Sequence, residues 1–256
     1  MDPDIQRFIL EALRANIPAT VVTAVEVRGS APCELGRRMI VYPDRTFRGT
    51  IGGGRMEQQA LELATGSRGA PFRETVCLDQ EDAECGGTVT LLFEPVGRRD
   101  ELVILGGGHC GAELSRLTPR LGFRVTVIDD RPEWADPARH PAADEVVCVP
   151  YSEAAGRIPF SEYCHIVIMT HGHENDEALL RACLRREFRY LGMIGSRRKV
   201  DACFERLRRD GHTPQELARV SAPIGLDIGS RTPAEIAVSI AAQLVAVRRG
   251  RGGQDS

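Results

Sequence analysis

The chain has 256 residues, 42% of them hydrophobic and 27% charged, with a formal net charge of −3. That length holds one large or two modest domains, and the acidic balance excludes a generally basic nucleic-acid binder. No run of about 18 apolar residues is present, which excludes a membrane-spanning helix, and the opening MDPDIQRFIL lacks the long apolar stretch of a secretory signal. The eight cysteines form no CxxC pair and no zinc-type spacing. They are read as free thiols of a reduced, cytoplasmic protein. Lys199 is the single lysine among 33 basic residues, which is read as a coding bias toward arginine.

Ile5, Phe8, Ile9, Ala12 and Leu13 recur at helical spacing and predict an opening amphipathic helix, ended by Asn16-Ile17-Pro18. TVVTAVEV follows as a β-rich run, and RMIVYPDRTFRGTI reads as two short strands around a Pro-Asp turn. GGGRMEQQALELA is a glycine turn feeding a second helix, and FRETVCL and TVTLLFEP are two more strands. This first part, residues 1–97, is expected to be α+β with mostly antiparallel sheet. EPVGRRDE, Glu94 to Glu101, reads as a linker.

The rhythm then changes. LVILG, RVTVIDD, EVVCVPY, CHIVIMT and RYLGMIG read as apolar strands, and CGAELSRLTPRLG, DEALLRACLRR and RRKVDACFERLRRDG as helices. Their alternation predicts a Rossmann-like parallel sheet covered on both faces over residues 98–256. The fold class is therefore α/β, a small α+β domain followed by a Rossmann-like one. Thr232, Pro233 and Glu235 form a capping box with a proline start. Ile236, Ile240, Leu244 and Val247 line one face of the helix that follows, and RRGRGGQDS is expected to fray.

Gly106, Gly108 and Gly111 match G-x-G-x-x-G between an apolar strand and a helix. Glycines let backbone approach an anion, and a helix start presents free N–H groups and partial positive charge. Asp129 and Asp130 close the next strand, about 20 residues on, where an acid can accept hydrogen bonds from ribose hydroxyls. His171, His173 and Glu174 lie in THGHENDE, read as a loop at the carboxyl edge of the sheet. The two histidines are close enough to share a metal, but the sequence shows nothing to complete the ligand set. Gly52, Gly53 and Gly54 precede the earlier helix and suggest a second anion site, with Glu57 in that helix's first turn. Cys85, in a glycine loop, and Cys110, at a helix start that favours a thiolate, are candidate reactive thiols. Cys148, Cys164, Cys183 and Cys203 are expected to be buried packing residues.

In order along the chain, VRGSAPCELGRRMIV, GTIGGGRMEQQAL, ECGGTVTLLFEP, ILGGGHCGAELSRL, VTVIDDRPEWAD, THGHENDEALLRACLRR, LGMIGSRRKV and APIGLDIGSRTPAEIAVSIAAQLVAVRRG resemble the XdhC/CoxI family across nearly the whole length. The resemblance implies chaperones, not oxidoreductases. Such proteins bind the molybdenum cofactor (molybdopterin form or, for some members, cytosine dinucleotide form), promote its sulfuration with a cysteine desulfurase and deliver it to a xanthine dehydrogenase-type molybdenum hydroxylase, commonly as homodimers. Neither nucleic acid nor membrane is an expected partner. The cofactor's phosphate end is expected on Gly106, Gly108 and Gly111, with Asp129, His171 and His173 nearby and Gly52–Gly54 and Glu57 facing the same cleft. Cys85 is the candidate metal ligand. Two departures bear on this. Arg55 stands where CoxI-like members often carry Cys, which favours the xanthine dehydrogenase branch, and EDAE before CGG weakens the ligand role of Cys85. The alternative on the residues alone is an NAD(P)-dependent oxidoreductase, resting on the glycine turn and Asp129.

Overall fold

A computed structural model describes residues 3–66, 71–77, 87–97 and 99–250. Cys85, the candidate metal ligand, lies outside the described residues, and so does the tail from Arg251. The chain divides into two compact units, Met1–Arg98 and Arg99–Ser256. Among the described residues no helix is long and apolar enough to cross a membrane.

The first unit contains α1 (Pro3–Arg14), β1 (Ala19–Arg28), β2 (Arg38–Val41), β3 (Phe47–Thr50), α2 (Gly54–Thr65), β4 (Phe72–Cys77) and β5 (Thr88–Val96). The strands form one antiparallel sheet in the order β3-β2-β1-β5-β4. Side chains alternate across a strand, and β1 uses that period twice over. Val22 and Ala24 pack with Met56, Ala60 and Ala64 of α2, while Ala19 and Val21 pack with Ile5 and Ala12 of α1. The first six residues of β1 are therefore all buried. Leu13, placed by spacing on the apolar face of α1, is 47% exposed.

The second unit contains β6 (Asp100–Leu105), α3 (His109–Leu117), β7 (Phe123–Asp129), β8 (Glu145–Cys148), α4 (Tyr151–Ala154), β9 (Ser161–Ile168), α5 (His173–Leu184), β10 (Phe188–Met193), α6 (Arg197–Arg209), α7 (Pro214–Ala218), β11 (Val220–Ser221) and α8 (Pro233–Arg248). All six strands are parallel, in the order β11-β10-β9-β6-β7-β8. Leu102 and Ile104 of β6 face Leu114 of α3 and Ile240 and Leu244 of α8. Val103 and Leu105 face the opposite layer, with Leu180 of α5 and Val200 and Leu207 of α6. Strand order reverses between β6 and β9, and in open parallel sheets that switch point is where ligands bind, beyond the strands' carboxyl ends.

Several boundaries differ from the sequence expectation. The linker shrinks to the residues between Val96 and Asp100, because β5 runs on through Pro95 and Val96. The helix after the glycine turn ends at Leu117. A 3₁₀ turn, Thr118–Leu121, replaces its end, with Pro119 early in it and Gly122 left-handed at φ 87°. Cys148 is exposed, because β8 is an edge strand of mixed exposure. Cys164, Cys183 and Cys203 are buried as expected. Short α4, α7 and β11 are too brief to carry a periodic signal.

Candidate functional site

The carboxyl ends of β7, β6 and β9 lie side by side, so the sheet itself gathers residues far apart in sequence. β6 runs into Gly106–Gly107–Gly108. Gly106 has φ 120°, and a Cβ there would stand 2.2 Å from the Met169 carbonyl at the end of β9. A Cβ on Gly111 would stand 2.1 Å from the Gly106 carbonyl, and one on Gly107 would stand 2.5 Å from the Trp134 carbonyl. Those three glycines are fixed by close backbone approach. Gly108 is different. Its φ of −59° suits any residue, and a Cβ on it would meet nothing within 4 Å.

Gly108 is the N-cap of α3, which has no side-chain cap and no acid in its first turn. The first N–H groups of a helix have no intrahelical acceptor, and among the described residues no side chain caps them. A cavity of about 330 Å³ opens beside this turn, walled by His109, Arg116, Trp134, Arg139 and the start of α8 at Thr232. The guanidinium carbons of Arg131 and Arg139 lie 5.1 and 4.5 Å from the Trp134 ring centroid. His140 pins the loop, with Nε2 2.9 Å from the Trp134 carbonyl and Nδ1 2.9 Å from Ser115 Oγ. Burial holds the His140 pKa below its ordinary value.

Asp129 does not stand ready for a ribose. Its side chain is fully buried, and its four acceptor positions are taken. Oδ1 accepts from the Arg131 amide at 3.0 Å and Nε at 2.9 Å, and Oδ2 from the Gly107 amide at 2.8 Å and an Arg131 terminal nitrogen at 3.0 Å. Burial alone would raise this carboxyl, but the bonds from Arg131 and Gly107 outweigh it and hold the pKa below its usual value. Asp129 therefore locks the glycine turn to the end of β7, and the feature on which a nicotinamide reading rested is spent internally.

Asp130 and His171 do come together. His171 Nδ1 lies 3.7 Å from Asp130 Oδ1, and ligand atoms of Asp129, Asp130 and His171 all lie within 4.8 Å of one another. The THGHENDE segment is a much shorter loop than expected, because α5 already begins at His173. Buried Asp176 causes this by accepting from the Thr170 amide at 3.0 Å and hydroxyl at 2.7 Å. His173 and Glu174 are thus helical, and the His173 side chain lies outside the described residues.

The other glycine turn is closed by its own acid. Glu57 Oε1 accepts from the amides of Ile51 at 3.2 Å and Gly53 at 3.1 Å, and from the Thr50 hydroxyl. Gly52 is structural, since a Cβ would stand 2.4 Å from the Pro32 carbonyl. Gly53 and Gly54 have φ of 89° and 65° with open space around them. The carboxylate of Glu57 thus takes two amides of its own glycine turn, where a ligand anion was expected. At Cys110, where the helix start was expected to favour a thiolate, burial pushes this half-buried thiol's pKa up.

Residues 102–244 match the family model described as the XdhC Rossmann domain, and residues 12–72 match the model described as the XdhC and CoxI family. The chain belongs to the XdhC and CoxI family. It is 30% identical over 93% of its length to the Escherichia coli protein YqeB and 26% identical over 63% to a Bacillus subtilis protein named as a probable xanthine dehydrogenase component. It spans about half of each, 45% and 47% of their lengths. It is 24% identical over 95% of its length to the Escherichia coli molybdenum cofactor insertion chaperone PaoD, covering 88% of that protein. A crystal structure of a xanthine dehydrogenase from Bacillus halodurans shares the fold, with a TM-score of 0.55 at 21% identity over 98% of this chain and 97% of that one. Within this family member, the sequence motif picked out Gly106, Gly108 and Gly111 but not Gly107, whose need for glycine comes from a carbonyl 27 residues later at Trp134.

Proposed function

We propose that this XdhC and CoxI family protein is an accessory chaperone that carries molybdenum cofactor to a xanthine dehydrogenase-type hydroxylase. It takes up the cofactor as cargo, supports its sulfuration together with a cysteine desulfurase, and acts as a homodimer in the cytoplasm. The observation that carries the reading is the contrast between the two glycine turns. Before α2 the Glu57 carboxylate takes the amides of Ile51 and Gly53, whereas before α3 Asp129 takes only the Gly107 amide, leaving an uncapped helix start with no acid in its first turn, an open Gly108 and a cavity lined by Arg139 and the Arg116–Glu113 pair. Such a helix start suits the phosphate of a pterin cofactor. Family membership and the name of the relative PaoD supply the class of cargo.

The protein's own residues do three things in this reading. Gly106 and Gly111 bring backbone close enough to form the turn, Asp129 and Arg131 brace it from β7, and the amides around Gly108 receive the phosphate. The cofactor, when bound, supplies the molybdenum centre that the client enzyme uses. The test is anaerobic gel filtration with molybdenum cofactor, assaying the protein peak for molybdenum and pterin. Wild type is expected to co-elute with about one cofactor per chain, and Gly108→Val is expected to lose it while keeping its melting temperature. Absence of cofactor from the wild-type peak, or full retention by Gly108→Val, overturns the placement.

A further inference from the structure

We propose that Asp130, His171 and Asp129 form a binding site for a first-row divalent cation, which takes the place now held by the Arg131 guanidinium. The three residues come from the ends of β7 and β9 and present ligand atoms within 4.8 Å of one another. Two buried atoms beside them, Asp130 Oδ1 and the Tyr151 hydroxyl, have no hydrogen-bond partner among the described residues. Tyr151 is only 6% exposed, so its hydroxyl has no solvent to turn to, and an unsatisfied buried polar group is costly. The Tyr151 ring stands 6.2 Å from that of His171, and burial, the charges of Asp129 and Asp130 and a long hydrogen-bonding contact toward Asp129 push its pKa far up.

The charge balance points the same way. Two carboxylates face one guanidinium, and Arg131 Nε lies 2.9 Å from Asp129 but 3.8 Å from Asp130. One negative charge is left without close compensation. Cation binding requires the Arg131 side chain, 27% exposed, to leave its present pairing with Asp129. Asp129 then keeps the amide bonds from Gly107 and Arg131 and frees two acceptor positions. Two carboxylates and an imidazole make a mixed oxygen and nitrogen set, which suits a first-row divalent cation such as Mn²⁺. The site stands whether or not the neighbouring turn carries molybdenum cofactor.

The test is Mn²⁺ titration of the chelator-treated full chain, with free Mn²⁺ followed by electron paramagnetic resonance. Wild type is expected to bind one ion. His171→Ala and Asp130→Asn should each weaken binding by about tenfold or more, whereas Glu205→Gln on α6 should leave it unchanged. Arg131→Met should strengthen it, since a competing cation is gone. His171→Ala is the sharpest arm, because an exposed imidazole can be removed without changing the fold or adding charge. No Mn²⁺ bound by wild type, or equal binding by His171→Ala, overturns the site. Gly108→Val should bind Mn²⁺ normally, so a failed cation site and a failed cofactor site give different results.

Discussion

The glycines of the turn before α3 separate into those the backbone requires and one it does not. Gly111 packs against the Gly106 carbonyl, so Gly111→Ala forces backbone apart and should destabilise the protein by about 1–3 kcal/mol. Gly108→Ala meets nothing and should change stability by less than about 0.5 kcal/mol. Chemical denaturation of the two variants checks the contrast, and equal stabilities would refute the division. Asp129 makes a second residue-scale prediction. Its folded pKa is lowered, so its contribution is fully present above the unfolded carboxyl value of about 4. It is lost as pH falls through the lower folded value. Asp129→Asn should therefore cost about 3 kcal/mol at neutral pH, and the gap from wild type should narrow as pH falls below about 4. Melting temperatures at pH 7 and across the acid limb test the sign. A gap that widens in acid would show that the Arg131 pairing does not set this pKa.

The helices are held at their ends by rules that short sequence patterns express well. Thr232 accepts from the Glu235 amide at 3.3 Å, and Glu235 accepts from the Thr232 amide at 2.9 Å. This is the reciprocal box that the spacing predicted. Thr213 and Glu216 repeat it on α7, which is too short for periodicity to reveal. Thr232→Ala should cost about 1 kcal/mol, read by urea unfolding, because α8 covers one face of the sheet through Ile240 and Leu244. An unchanged midpoint would mean the first turn of α8 does not contribute to the folding unit. Patterns of this length fail where a polar side chain has more than one local use. Pro119 marks the break after α3, but nothing near His173 announces that Asp176 will fold back on Thr170 and start α5 early. Glu57 is similar, since a first-turn acid reads equally well as a dipole partner or as a lid on its own glycine turn.

At the scale of the molecule, the alternation of apolar strands and helices made the parallel sheet legible, because strands buried on both faces read as continuous apolar runs. The antiparallel unit was legible from its β-rich runs and the turns between them. Glycine positions in the site were legible for the same local reason, a strand running into a helix. The cluster of Asp129, Asp130 and His171 was not, because it depends on strand order. β7 and β9 both flank β6, a fact no local spacing carries, and so the histidines lacked a visible partner set. Each unit has its own core, one built on Val22, Met39 and Phe93 and the other on Ile104, Ile166 and Leu180. A compact body with its own core folds alone. The fragment 99–256 should therefore unfold cooperatively in urea and show native chemical-shift dispersion. It should also keep the Mn²⁺ response of the full chain, because every residue invoked there belongs to that unit. A fragment that folds but binds no Mn²⁺, beside a full chain that does, would mean that a group before residue 99 completes the site. A fragment that does not fold would show that the second core alone is not enough to hold the sheet.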